Sequence, residues 1–96
     1  MHPNKARHDH LIQFTDLPNI GPSLAGDLRL LGYQMPQDLV GADPYAMYTE
    51  LCTLTSERQD PCVLDCFLSI TDFLAGNPPQ PWWNYTAQRK KSHPTL

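Results

Sequence analysis

Proline constrains this chain more than any other residue, because four of its ten prolines fall where a helix would begin rather than continue. Inside a helix, proline removes a hydrogen bond and clashes with the preceding turn, whereas at the first helical position its missing N–H costs nothing. Asp43-Pro44 and Asp60-Pro61 each read as an aspartate N-cap followed by a first-position proline. Gly21-Pro22 and Met35-Pro36 are weaker versions of the same start. Behind these starts apolar residues recur at helical spacing: Leu24, Leu28 and Leu31, then Met47, Tyr48, Leu51 and Leu54, then Val63, Phe67, Ile70 and Leu74. Gly32 and Gly76 stand where two of the helices should stop. An earlier short helix would carry Leu11, Ile12 and Phe14, and no stretch shows sustained strand alternation. The expectation is an all-α chain of five short helices, near 8–14, 22–31, 36–41, 44–55 and 61–75. No internal repeat of fixed period is evident, although a second, degenerate helical hairpin around Gln37 to Leu51 fits the pattern.

Ninety-six residues, 41% of them hydrophobic, suffice for one domain with one modest core. That domain is expected over 8–85, with a hairpin core at 11–33, between a flexible tail at 1–7 and a basic, disordered tail at 86–96. No apolar run approaches a membrane span, and MHPNKARHDH lacks the apolar stretch of a secretory signal, so the expected location is cytoplasmic. Cys52, Cys62 and Cys66 lie within apolar helical patterns, and their odd number suits a reducing compartment.

The net charge of −3 hides an asymmetry. Lys5, Arg7, Arg89, Lys90 and Lys91 all lie in the two tails, while between Leu11 and Asn84 only Arg29 and Arg58 oppose Asp16, Asp27, Asp38, Asp43, Glu50, Glu57, Asp60, Asp65 and Asp72. The folded body is therefore acidic, which argues against broad electrostatic capture of nucleic acid.

The stretch with a functional candidate attached is LPNIGPSLAGDLRLLGY, residues 17–33. Pro22 starts a helix whose first-turn N–H groups, on Ser23 and Leu24, have no partner within the helix, and Gly21 leaves room for close approach. Such an N-terminus, with the positive end of the helix dipole, suits an anion, commonly phosphate. The stretch resembles the helix-hairpin-helix family, whose hairpin reads Leu-Pro-Gly-Ile-Gly-Pro before a small residue and a short helix ending in Leu-Gly. Leu17, Pro18, Ile20, Gly21, Pro22, Ala25, Leu28, Leu31 and Gly32 match. The resemblance implies a helix-hairpin-helix (SAM-like) fold and contact with a DNA backbone, without base readout, through the N–H groups of Asn19, Gly21, Ser23 and Leu24, with Arg29 and the basic tail as auxiliaries. It also implies a monovalent cation, K+ or Na+, on the carbonyls of Thr15, Leu17 and Ile20.

Asn19 replaces the first hairpin glycine. Asparagine is the non-glycine residue best able to adopt a positive φ, so the turn should survive, with its side chain expected on the phosphate side. The second helix offers only Arg29 and carries Asp27. Over a longer span, about Leu11 to Tyr85, the chain resembles small bacterial helix-hairpin-helix proteins labelled pathogenicity locus or mitomycin resistance, through GADPYAMYTELC, RQDPCV and PWW. A resistance label of that kind would fit a DNA-related role.

Other motifs have simpler structural readings. Cys62 and Cys66, one turn apart, could hold a metal with Cys52 or a histidine, but zinc sites favour C-x-x-C pairs and buried free thiols suffice. His8, Asp9 and His10, with His2, could take up a transition metal, yet read as solvated tail residues. RQDPC is a helix cap before it is a reactive-cysteine loop. Pro78, Pro79 and Pro81 favour an extended path that lays Trp82 and Trp83 over the helices, a staple more readily than a base-stacking platform. With no Ser/His/Asp set, P-loop, H-E-x-x-H or paired C-x-x-C, the chain reads as non-enzymatic. The function expected is sequence-independent DNA-backbone binding, the alternative a protein-interaction adaptor on the same scaffold.

Overall fold

The computed structural model describes residues 6–94, and among these the chain is all-helical, without strands. Four α-helices carry it: α1 (Pro22–Leu30), α2 (Pro44–Thr55), α3 (Pro61–Leu74) and α4 (Thr86–Ser92). Three single 3-10 turns, Phe14–Asp16, Pro36–Leu39 and Trp82–Tyr85, precede α1, α2 and α4. The proline logic holds at each of the first three helices, which begin at Pro22, Pro44 and Pro61. Asp43 accepts hydrogen bonds from the N–H groups of Tyr45 (2.9 Å) and Ala46 (3.4 Å), and Asp60 accepts one from Cys62 (2.9 Å).

Helix α3 is the axis of the molecule. Every residue from Leu64 to Ile70 is buried, and seven consecutive helical residues point in all directions, so α3 is enclosed on every side there. Leu17, Ile20, Leu28, Leu39, Leu51, Leu64, Phe67 and Phe73 form the centre of the core. Leu54, expected on the core face of α2, is instead 48% exposed.

The helix expected over 8–14 does not form; residues 8–9 make a turn and only Phe14–Asp16 coil, as 3-10. The Asp16 carboxylate takes the N–H groups of Ile12 and Gln13, both at 2.9 Å, and so removes two donors that a helix over these residues would need. Ile12 points into solvent, and of the three apolar residues only Phe14 is fully buried. The segment expected as a helix at 36–41 shortens to a 3-10 turn, Pro36–Leu39, ahead of which Asp38 accepts from Gln34 (2.9 Å) and Met35 (3.2 Å).

The tails also differ from expectation. Of the expected flexible tail at 1–7, residues 1–5 lie outside the described residues, while Ala6 is buried in the core. His8 hydrogen-bonds through Nε2 to the Phe73 carbonyl (2.9 Å) and stacks on the Phe73 ring at 4.0 Å. The tail expected to be disordered from 86 forms α4, whose Arg89 is buried and paired with the fully buried Asp65 (Nε to Oδ1, 3.0 Å). Thr86 donates to the same carboxylate at 2.8 Å, and Tyr85 donates to Asp72 at 2.6 Å. Burying an ion pair is tolerable only when both partners are satisfied, and here they are.

Candidate functional site

The site grows out of a backbone unit that occurs twice, 22 residues apart. Asp16 and Asp38 each gather two preceding N–H groups. Leu17 and Leu39 then plug the core, and their carbonyls accept from Ile20 (3.5 Å) and Ala42 (3.0 Å). Asn19 (φ 67°) and Gly41 (φ 79°) take the left-handed conformation at equivalent places, and Gly21-Pro22 and Asp43-Pro44 start α1 and α2. The region around Gln37 to Leu51, suggested as a degenerate second hairpin, thus repeats the turn and helix start of the first, although few residue identities repeat.

The two units differ at the first turn of the helix. In the second, the Asp43 carboxylate sits on the N–H groups of Tyr45 and Ala46. In the first, the equivalent donors belong to Ser23 and Leu24, and α1 has no side-chain cap. Among the described residues the N–H groups of Asn19, Gly21, Ser23 and Leu24 have no partner. Gly21 is extended (φ −94°), and a Cβ there would meet nothing within 4 Å, so the fold itself makes no demand for glycine.

The Asn19 side chain does not stand on the phosphate side, as the sequence suggested. It turns inward, where Nδ2 donates to Ser69 Oγ (2.8 Å) and the Gln80 carbonyl (3.0 Å), and Oδ1 accepts the N–H of Trp82 (3.2 Å). Ser69 Oγ donates to the same Gln80 carbonyl at 2.8 Å. Asn19 thereby ties the turn to α3 and to the proline-rich strap, and the outer side of the turn is left clear. Sequence reasoning missed Ser69 and Gln80, since nothing local marks residues that meet across 50 and 61 positions.

Arg29 is drawn elsewhere. Its guanidinium lies 5.7 Å from the centroid of the Phe14 ring, on a residue about 10 Å along the helix from Pro22. Asp27, half-buried on the same helix, has its carboxyl pKa raised by burial. The other acids of the body are largely engaged internally: Asp16, Asp38, Asp43 and Asp60 on backbone N–H groups, Asp65 with Arg89, and Asp72 with Tyr85 and Asn77.

The cysteines and histidines do not converge. Burial pushes the Cys62 thiol up to about 11 and that of Cys66 up to about 12, so both stay protonated and unreactive at neutral pH. Asp9 pairs with Arg7 at 2.8 Å while His8 lies on Phe73, and no group of three or more His, Cys, Asp or Glu among the described residues is placed to hold a metal. Recesses among the described residues include one of about 350 Å³ beside Tyr45, Asp72 and Tyr85, and a second of about 500 Å³ beside Tyr48, Cys52 and Arg58. In the first, Thr71 and Tyr85 donate internally; in the second, Tyr48 donates to the Gln59 carbonyl. No helix of the described residues is long and apolar enough to cross a membrane.

These features define a small all-helical domain in which two turn-and-helix units and a C-terminal strap enclose one central helix. The family model described as Pathogenicity locus matches residues 7–91, and the chain belongs to that family. The match reaches past Tyr85 to include α4, consistent with its integration into the core. The chain is similar to a protein named Mitomycin resistance protein McrB from Streptomyces lavendulae, 36% identical over 77 residues, which cover 80% of this chain and 73% of that protein. No solved structure matches the chain.

Proposed function

We propose that the chain is a non-catalytic nucleic-acid-binding module of helix-hairpin-helix type, holding a backbone phosphate at the N-terminus of α1 without reading bases. The observation that carries this reading is the contrast between the two units. Where α2 has a carboxylate on its first-turn donors, α1 has Gly21 and no side-chain cap. An anion from outside would complete in the first unit what Asp43 completes in the second. Asn19, Gly21, Ser23 and Leu24 would donate through the backbone. Lys90 and Lys91 add positive charge on α4, and Arg29 is left a minor part by its position over Phe14. A monovalent cation on the carbonyls of Thr15, Leu17 and Ile20 would be an accessory of the same turn; the long 3.5 Å bond from Ile20 N–H leaves acceptor capacity on Leu17.

The relative's name, one of mitomycin resistance, is compatible with a DNA-related role here. Fluorescence anisotropy of labelled DNA at low and moderate salt tests the reading, comparing the parent chain with Gly21→Asp. Salt-sensitive binding that Gly21→Asp abolishes, with helicity unchanged, is the expected result. Absence of binding at low salt would leave the turn as a structural corner. The second reading, a protein-interaction adaptor, is favoured by the acidic body and by exposed Ile12 (74%) and Val40 (62%). It predicts indifference to DNA.

A further inference from the structure

The two tryptophans do different work. Trp82 is half-buried, and its N–H is held by Asn19, which makes it the staple expected of the pair. Trp83 is 59% exposed, packed edge-on against Trp82 at 5.6 Å and 84°, and so it is a large aromatic surface with a defined orientation. An exposed indole held in a fixed orientation offers a large apolar, π-bearing surface for a ligand to stack on. The Trp82–Tyr85 turn runs directly into α4, so Lys90, seven residues after Trp83, falls about two turns further on the same side, roughly 11 Å along the axis. Lys90 is exposed, whereas Arg89 faces inward to Asp65. The nearest acids on α3 are occupied, Asp65 by Arg89 and Thr86, and Asp72 by Tyr85 and Asn77.

We infer that Trp83 and Lys90 form a site for an unpaired nucleic-acid strand, with a base stacked on the Trp83 indole and a neighbouring phosphate drawn to Lys90. An aromatic face beside a cation is the pairing that single-strand binders use, and it tolerates any base because every base has a π face. A duplex cannot use it, since its bases are already stacked on each other. The inference rests on the backbone-binding reading above and adds to it a preference for single strands. Asn19 connects the two sites: it belongs to the turn that ends at Gly21, and it fixes the backbone of the residue before Trp83.

The test measures anisotropy of a labelled oligo-dT and of a blunt duplex at low salt, using the parent chain, Trp83→Ala and Gly21→Val, with tryptophan emission followed in parallel. Trp83 is exposed and Gly21 faces open space, so both variants keep the fold, which circular dichroism verifies. The expected result is about 10-fold weaker oligo-dT binding for Trp83→Ala with duplex binding unchanged, loss of both for Gly21→Val, and quenching by oligo-dT that Trp83→Ala removes. If Trp83→Ala leaves oligo-dT binding intact while Gly21→Val still abolishes it, the stacking site is overturned and backbone binding stands. If the parent chain binds neither DNA, both are overturned.

Discussion

The unit ending in α1 and the unit ending in α2 share their backbone course, and they differ in what completes each one. The second is self-sufficient: Gly41 supplies the left-handed residue at no steric cost, and Asp43 caps its own helix. The first depends on distant groups. Asn19 holds the left-handed position while its side chain binds α3 and the strap, and the donors of α1 stay open. A unit that satisfies its own donors is suited to structure, and a unit whose donors remain open on an outward-facing turn is suited to a ligand.

The largest effect should come from releasing the strap on which the first unit leans. Arg89→Ala leaves Asp65 charged and buried with Thr86 as its remaining side-chain donor, and should cost about 3 to 5 kcal/mol in urea unfolding. Hydrogen exchange in that variant should accelerate around residues 17–24 more than around 39–46; equal acceleration would remove the distinction between the units. Next in size is Asn19→Gly, which keeps the turn conformation but loses the inward hydrogen bonds, at about 1 to 3 kcal/mol. The mirror change Gly41→Asn, into open space but at a φ of 79° that side chains rarely adopt, should cost up to about 1 kcal/mol.

Asp43→Ala should cost about 1 kcal/mol by thermal melting, because it uncaps α2. Gly21→Asp, which gives the first unit the cap of the second, should raise stability by only a few tenths of a kcal/mol while removing the proposed DNA binding. A gain in stability without loss of binding would separate the open donors from the function. The smallest effect is in acid. The N–H groups of Gln13 and then Ile12 hold the Asp16 carboxyl below its ordinary value of 3.8, and the N–H of Cys62 does the same for Asp60. Both contributions are complete above that value and disappear as pH falls through the lower folded values. Amide signals of Ile12, Gln13 and Cys62 should therefore hold steady from neutral pH to about 4 and shift only below it; a shift centred near pH 6 would mean another group controls this turn.

The caps, the starts of α1, α2 and α3, and the family were all legible in the sequence, because each is written within a few neighbouring residues. The loss of the helix expected over 8–14 has a local signal in the sequence. An aspartate three and four residues beyond the donors it takes, Asp16 after Ile12 and Gln13, competes with helix formation just as Asp43 promotes it. The repeated unit is only faintly legible in the sequence, as a degenerate pattern around Gln37 to Leu51, because it is carried by backbone hydrogen bonds while side-chain identity between the two halves is slight.

By itself, then, the sequence determined where three helices begin, which aspartates cap them, and that one turn presents donors before a proline. Those are short-range matters of φ preference and N–H satisfaction, settled within one helical turn. Tertiary structure alone decided that residues 86–92 are a helix, that Asn19 faces inward, and that one tryptophan is half-buried while its neighbour is exposed. Each of these depends on a partner far away in the chain, Asp65 for Arg89 and Ser69 for Asn19, and a tail with no apolar periodicity folds because a buried carboxylate needs its charge.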